Sequence, residues 1–212
     1  MCPNVLNKKQ KKIIEHLDFL GKNFYLAGGT GLALQLGHRT SVDFDFYTPT
    51  HFSSEKILAD FQKKFKNLTV RRTTKDTLII TVNKIELSFF YYPYKLLKPT
   101  VLFETVKLAS AEDIAAMKIV AIIQRGRRRD FIDIFYLLGK CPLEEIIKFV
   151  LKKYPGYQKM LILRALIYFE EAEKEKLGRA IKLFDKNFSW KKAKQKIFEE
   201  VKRHQLEMIK KT

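Results

Sequence analysis

The feature that most constrains the fold is a short stretch in which acidic and apolar residues alternate, Val42-Asp43-Phe44-Asp45-Phe46. Successive side chains of a β-strand point to opposite faces, so Asp43 and Asp45 share one face and the apolar residues share the other. Two like charges on one face repel each other, and a core strand carries them only with compensation. The pattern therefore predicts either the solvated face of an edge strand or a carboxylate pair that binds a divalent cation.

A glycine turn lies shortly upstream of this strand. The apolar run Phe24 to Ala27 predicts a strand, Gly28-Gly29-Thr30-Gly31 a turn, and Leu32 to Gly37 a short helix. Glycine lets the chain turn where a Cβ would clash, and a helix that follows directs free N–H groups and the positive end of its dipole toward the turn. This arrangement favours a bound phosphate beside the two carboxylates.

A third carboxylate, that of Glu86, has the right pattern to join the pair. After a helix that ends near Lys64, apolar alternation predicts strands over Leu68 to Arg72, Leu78 to Val82 and Ile85 to Tyr91. On the last strand Glu86 points away from the apolar side chains. It reaches Asp43 and Asp45 if the two strands are neighbours, and otherwise it is an exposed residue of a hairpin. Asp76, nearer a turn, is a weaker candidate.

The chain after Pro99 has the pattern of helices. Lys118 falls on the apolar stripe of the first one and Arg125 on the same side, and a lysine on an inward face is costly unless it reaches an anion. Gly126 breaks this helix, and the next one opens with Arg129, Asp130 and, one turn later, Asp133. Asp130 and Asp133 either support a functional site or pair with Arg125 or Arg129 to lock two helices together.

The composition is that of a globular, strongly basic chain. Its 212 residues are 46% hydrophobic, and 41 Lys and Arg against 23 Asp and Glu give a net charge of +18. Such a surface attracts polyanions, although a lysine-rich surface also serves solubility alone.

Cys2 and Cys141 lack disulfide-framework or metal-ligand spacing, and neither a signal peptide nor a membrane-length apolar run is present. These features predict a cytoplasmic protein without a membrane span.

Together, the glycine turn and the acidic strand resemble the signature of the DNA polymerase beta-like nucleotidyltransferase superfamily. More narrowly, Gly28-Gly29-Thr30 with Leu36-Gly37-His38-Arg39-Thr40-Ser41 and the strand that follows is similar to the AbiEii toxin family of bacterial nucleotidyltransferases. The string from Lys118 to Arg125, followed by Arg129-Asp130 and Asp133, adds to this likeness.

The resemblance implies an α+β fold, with a nucleotidyltransferase-like mixed β-sheet flanked by helices over residues 1–98. A C-terminal helical bundle over residues 99–212 would complete the cleft. The implied activity is Mg²⁺-dependent transfer of an NMP from an NTP to an acceptor hydroxyl, with release of pyrophosphate and with Mn²⁺ as the alternative ion.

The resemblance also assigns residues. Asp43, Asp45 and Glu86 would be catalytic and would hold the metal, although the superfamily more often has Asp at the third position. Nucleotide phosphates would lie against Gly28, Gly29, Thr30, Arg39, Ser41 and Lys118. The supporting residues would be Arg125, Arg129, Asp130 and Asp133.

The acceptor stays open among several classes. The family resemblance suggests a toxin-like enzyme with a cognate antitoxin, and some relatives modify tRNA ends. The net charge is consistent with RNA as the acceptor. A small aminoglycoside-like acceptor is a second interpretation, although a cationic molecule favours an acidic pocket. A catalytically inactive nucleic-acid-binding protein is a third. An Asp-x-Asp glycosyltransferase is disfavoured because the glycine turn precedes the acids at nucleotidyltransferase spacing.

Overall fold

The structure, a computed structural model, describes residues 1–21, 23–175 and 181–210. The chain divides into two compact units, Met1–Ser110 and Ala111–Thr212. The first unit is built on a β-sheet, and the described part of the second consists mainly of helices.

The sheet of the first unit is mixed, as predicted. Its strands are β1 (Tyr25–Leu26), β2 (Phe44–Thr48), β3 (Leu68–Thr74), β4 (Thr77–Val82), β5 (Ile85–Tyr91), β6 (Val101–Phe103) and β7 (Val106–Leu108). They lie in the order β3-β4-β5-β2-β1-β7-β6, with β2 parallel to β5, β1 parallel to β7, and the other neighbours antiparallel. The acidic strand β2 and the Glu86 strand β5 are therefore direct neighbours.

Helices α1 (Lys8–Ile14), α2 (Gly28–Leu36) and α3 (Ser54–Lys64) belong to the same unit. The apolar face of the sheet is packed: Phe46 stacks on Phe89 at 5.1 Å between ring centroids, and Phe61 of α3 meets Phe89 edge-on at 5.4 Å. Helix α1 ends at Ile14, and a 3-10 helix over Asp18–Leu20 follows it. The opposite face of the sheet is available for a functional site.

The second unit contains α4 (Ala111–Arg125), α5 (Arg128–Leu137), α6 (Leu143–Lys153), α7 (Lys159–Ile167), α8 (Glu170–Lys174) and α9 (Trp190–Lys210). Helices α7 and α8 are separate, because Tyr168 adopts an extended conformation at the end of α7. The break lets Phe169 pack on Phe131, at 5.0 Å, and on Trp190, at 6.0 Å. Among the helices of the described residues, none is both long and apolar enough to cross a membrane.

The division between the units lies later in the chain than the predicted boundary at residues 98 and 99. Strands β6 and β7 follow that boundary, yet they extend the sheet beyond β1, and Lys107 pairs with Tyr25. They are three residues long each, too short to show a hydrophobic period in the sequence. The roles predicted for the two regions stay predictions.

We expect the Phe61→Ala variant to be destabilised by about 3–5 kcal/mol, because the truncation opens a cavity at a fully buried ring. Urea unfolding followed by far-UV circular dichroism measures this loss. The same truncation at Phe198, which is 51% exposed, is the control and should change the free energy of unfolding by less than about 0.5 kcal/mol. Equal losses in the two variants would contradict the assigned core.

Candidate active site

Asp45 lies on the face of β2 opposite the packed core, and Asp43 comes two residues earlier in the chain. Phe44 and Phe46 are buried, whereas Asp43, just before the strand, and Asp45, within it, are half-buried. Asp45 is in register with Ser88 of the parallel strand β5. Paired residues of neighbouring strands share a face, so this face of the central sheet carries the carboxylates and is called the carboxylate face below.

The start of helix α2 lies directly against Asp45. Gly28 has a positive φ of 60°, and a Cβ placed on it would lie 2.5 Å from Asp45 Oδ2. The backbone N–H of Ala27 donates to the Asp45 carbonyl at 3.0 Å, and the Thr30 hydroxyl donates to the Asp43 carbonyl. Only glycine fits at position 28, and the first turn of the helix is tied to the acidic strand by backbone and side chain.

Arg39 and Ser41 lie over Gly29, in the first turn of α2. A Cβ placed on Gly29 would lie 2.6 Å from Arg39 Nη2 and 3.2 Å from Ser41 Oγ. Arg39 is 2% exposed and donates through Nη1 to the Thr40 carbonyl at 2.9 Å, while the buried Gln10 amide donates to the Ser41 carbonyl at 2.9 Å. The structure thus brings the predicted phosphate-binding residues of the first unit together at the start of α2.

Glu86 shares the carboxylate face with Asp45. It lies two residues before Ser88 on β5, is half-buried, and pairs with Thr81 of β4. Among the residues that the structure describes, however, no group of three His, Cys, Asp or Glu side chains is gathered closely enough to hold a metal ion. The prediction that Glu86 completes a metal site stays a prediction.

The aspartate pair fits Mg²⁺ without a third carboxylate. This ion is commonly bound by one or two carboxylates together with substrate phosphates and water, rather than by a cage of protein ligands. Asp43 and Asp45 supply two hard oxygen donors at the end of a helix that attracts phosphate. The donor set is therefore compatible with a metal that arrives with its nucleotide.

Asp76, the weaker candidate, has a structural role. It lies at the turn between β3 and β4 with a φ of 61° and accepts hydrogen bonds from the Phe52 N–H, at 3.0 Å, and from His51 Nδ1, at 2.6 Å. Burial opposes ionisation, but these hydrogen bonds outweigh it and keep the pKa of Asp76 below its ordinary value. Its carboxylate stabilises the turn.

In the second unit, Lys118 meets two carboxylates. Its Nζ lies 2.7 Å from Asp130 Oδ1 and 2.6 Å from Asp133 Oδ2, and all three side chains are buried. Arg125 Nε lies 3.5 Å from Asp130 Oδ2, whereas Arg129 is half-buried in the first turn of α5. The anion that Lys118 was expected to need is thus supplied by the next helix, and its contact with nucleotide phosphates stays a prediction.

Two residues of the site region escaped the sequence analysis. Ser88 is 5% exposed beside Asp45, and it could have been found because it follows Glu86 by one strand period. Gln10 has no such signal, since it reaches Ser41 across 31 residues of sequence.

Comparison with solved structures identifies the fold. The chain is similar to MenT4, a nucleotidyltransferase toxin of Mycobacterium tuberculosis H37Rv, with a TM-score of 0.63 and 15% identity over 90% of this chain and 80% of that one. It is also similar to JHP933 from Helicobacter pylori, with a TM-score of 0.60 and 15% identity over 100% of this chain and 96% of that one. The chain therefore has a nucleotidyltransferase-like fold.

Sequence comparison is more specific. The family model described as "Nucleotidyl transferase AbiEii toxin, Type IV TA system" matches residues 12–209, and the chain belongs to this family. It is also 40% identical to an uncharacterized protein of Aquifex aeolicus (strain VF5) over 178 residues, which cover 80% of this chain and 86% of that one. The predicted family is confirmed.

We expect Lys118→Met to reduce the free energy of unfolding by about 3–5 kcal/mol, because it leaves two buried carboxylates without their lysine. Urea unfolding followed by the fluorescence of Trp190, the single tryptophan, measures the loss in the second unit. Lys148→Met is a matched control, since Lys148 also contacts two carboxylates, those of Glu144 and Glu145, but is 58% exposed. The control should unfold like the unaltered protein, and a Lys118 variant that did so would refute the buried pairing.

Proposed function

We propose that this protein is a Mg²⁺-dependent nucleotidyltransferase that moves an NMP from an NTP to a hydroxyl of an RNA acceptor. The observation that carries the proposal is the close approach of Asp45 to Gly28, with Asp43 two residues earlier in the chain and its carbonyl bonded to Thr30 of the same helix. A carboxylate pair and the start of a helix meet there, and these two features bind the two parts of a metal–triphosphate complex. Membership of the AbiEii family supports the same reaction class.

Each residue of the site has a role in the proposed reaction. The N–H groups of Gly28, Gly29 and Thr30 bind the β- and γ-phosphates, and the Arg39 guanidinium and Ser41 hydroxyl beside Gly29 stabilise the charge of the departing pyrophosphate. These groups are held before substrate arrives, because Arg39 and Thr30 are buried and bonded to the backbone. Such preorganisation spares the reaction a rearrangement of dipoles.

The acidic residues orient the reacting groups. Asp43 and Asp45 would hold Mg²⁺, which would neutralise charge on the phosphates and make the acceptor hydroxyl more acidic. Glu86 is the third carboxylate, as a ligand or as the base that accepts the proton of the acceptor hydroxyl. The acceptor oxygen forms a bond to the α-phosphorus, the bond from that phosphorus to the bridging oxygen breaks, and pyrophosphate leaves.

The net charge favours RNA as the acceptor. With +18 over 212 residues, the chain attracts polyanions and repels small cations such as aminoglycosides. MenT4 is by its name a nucleotidyltransferase toxin, and by analogy we infer a toxin that is controlled by a cognate antitoxin.

We expect Asp43→Asn and Asp45→Asn each to lower transfer by at least about a hundredfold, because they remove the charge that holds the metal. The assay incubates the protein with each α-³²P-labelled NTP, Mg²⁺ and total cellular RNA and follows labelled RNA and released pyrophosphate. Asp60→Asn, on α3, is the control and should transfer normally.

The same assay separates the alternatives. An RNA-binding protein without catalysis would label nothing and would bind RNA equally well in all three variants. A small-molecule transferase would label an aminoglycoside added in place of RNA. Either result would refute the proposed function.

For Glu86→Gln we expect at least about a hundredfold loss of the rate of transfer, the usual scale for a lost general base. Glu104→Gln is its control, because Glu104 is an exposed residue of the turn between β6 and β7. Transfer at the normal rate by Glu86→Gln would make Glu86 a residue of the hairpin without a part in the chemistry.

A further inference from the structure

The edge strand β3 contains a β-bulge. Its pairing with β4 is regular from Leu68, opposite Val82, to Val70, opposite Ile80, and resumes with Arg72 opposite Ile79. Arg71 is therefore the extra residue of the bulge, and it has no partner residue of its own on β4. A bulge of this kind changes the direction in which the following side chains point.

The bulge places two consecutive arginines on the carboxylate face. Arg72 is paired with Ile79, on the face opposite the buried Ile80, and Arg71 Nε donates to the Thr81 hydroxyl at 3.4 Å. Thr81 is the partner of Glu86. In an unbulged strand Arg72 would lie opposite Leu78, on the packed face, because one residue of shift reverses every side chain.

Avoidance of burial does not explain this arrangement. The packed face is open at this edge of the sheet, since Val70 is 39% exposed and Thr73, opposite Leu78, is exposed as well. An arginine could point there and stay in water. Protection of a free strand edge accounts for charged residues and for a bulge, but it does not require both arginines on one face.

Arg72 lies in the same cross-sheet row as Asp45. The row runs from Arg72 to Ile79, then to Ser88, and then to Asp45. Three strand spacings of about 4.8 Å place the two backbones about 14 Å apart. At a rise of about 3.4 Å per nucleotide, a stacked single strand of about four nucleotides covers that distance.

We propose that Arg71 and Arg72 bind phosphates of a single-stranded RNA end whose terminal hydroxyl reaches Asp43 and Asp45. This proposal rests on the proposed function, and it names the surface that holds the acceptor. Both arginines are exposed, and the guanidinium fork binds phosphate oxygens in pairs. Lys66 and Lys75, exposed beside the two ends of β3, extend the basic edge.

The test measures binding of a fluorescein-labelled 12-nucleotide oligoadenylate by anisotropy at several KCl concentrations. For the Arg71→Gln/Arg72→Gln double variant we expect about tenfold weaker binding at 50 mM KCl. The slope of log K against log[KCl] should become shallower by about 1.4, because each lost phosphate contact to a single strand removes about 0.7. Lys56→Gln/Lys63→Gln loses the same charge from α3, on the packed side of the sheet, and should keep the original slope.

Label transfer from NTP to total RNA, measured in parallel, separates this proposal from the proposed function. A shallower slope for the arginine variant with no transfer by the unaltered protein would support the RNA surface and refute the reaction. Transfer by the unaltered protein with equal slopes for the two double variants would refute the surface alone. Absence of oligoadenylate binding by the unaltered protein would also overturn this proposal.

Discussion

The candidate site depends on one close approach, that of the Asp45 carboxylate to the backbone of Gly28. A side chain at position 28 would occupy the space of Asp45 Oδ2 and would also be strained at the positive φ of this residue. Strand β2 can therefore bring its acids to the start of α2 only if that helix begins with glycine. The hydrogen bond from the Thr30 hydroxyl to the Asp43 carbonyl then ties the helix to the strand, so the groups proposed to bind phosphate and metal are held together.

The parts of this arrangement that were predictable are local in sequence. The alternation around Asp43 and Asp45 defines which side chains share a face, because the period of a strand is fixed by its backbone. The adjacency of β2 and β5, the bulge at Arg71 and the partner of Gln10 depend on pairing between distant segments, and no local pattern reports them. The family resemblance predicted the fold, but it does not determine which residues of neighbouring strands pair.

The buried lysines of the second unit show the same limit of prediction from sequence. The position of Lys118 on an apolar stripe predicted an anion beside it, and the family resemblance implied a nucleotide phosphate, whereas Asp130 and Asp133 were expected to pair with arginines. The structure pairs Lys118 with Asp130 and Asp133, and a second buried lysine, Lys153, with Asp113 at 2.7 Å. Such pairs recover little net stability against hydrophobic replacements, since desolvation offsets attraction. In this protein they connect α4 to α5 and α4 to α6.

The two faces of the sheet explain how a basic protein can use an acidic site. The aromatic face gives β2 and β5 a rigid support, whereas the opposite face carries carboxylates at its centre and arginines at its edge. Carboxylates alone would repel a polyanionic acceptor, and their field weakens within about 8–10 Å in physiological salt. Arg72, whose backbone lies about 14 Å from that of Asp45, is beyond that range, and in the proposed complex it attracts the same RNA strand. This separation favours an acceptor long enough to reach both regions, which a small cationic molecule is not.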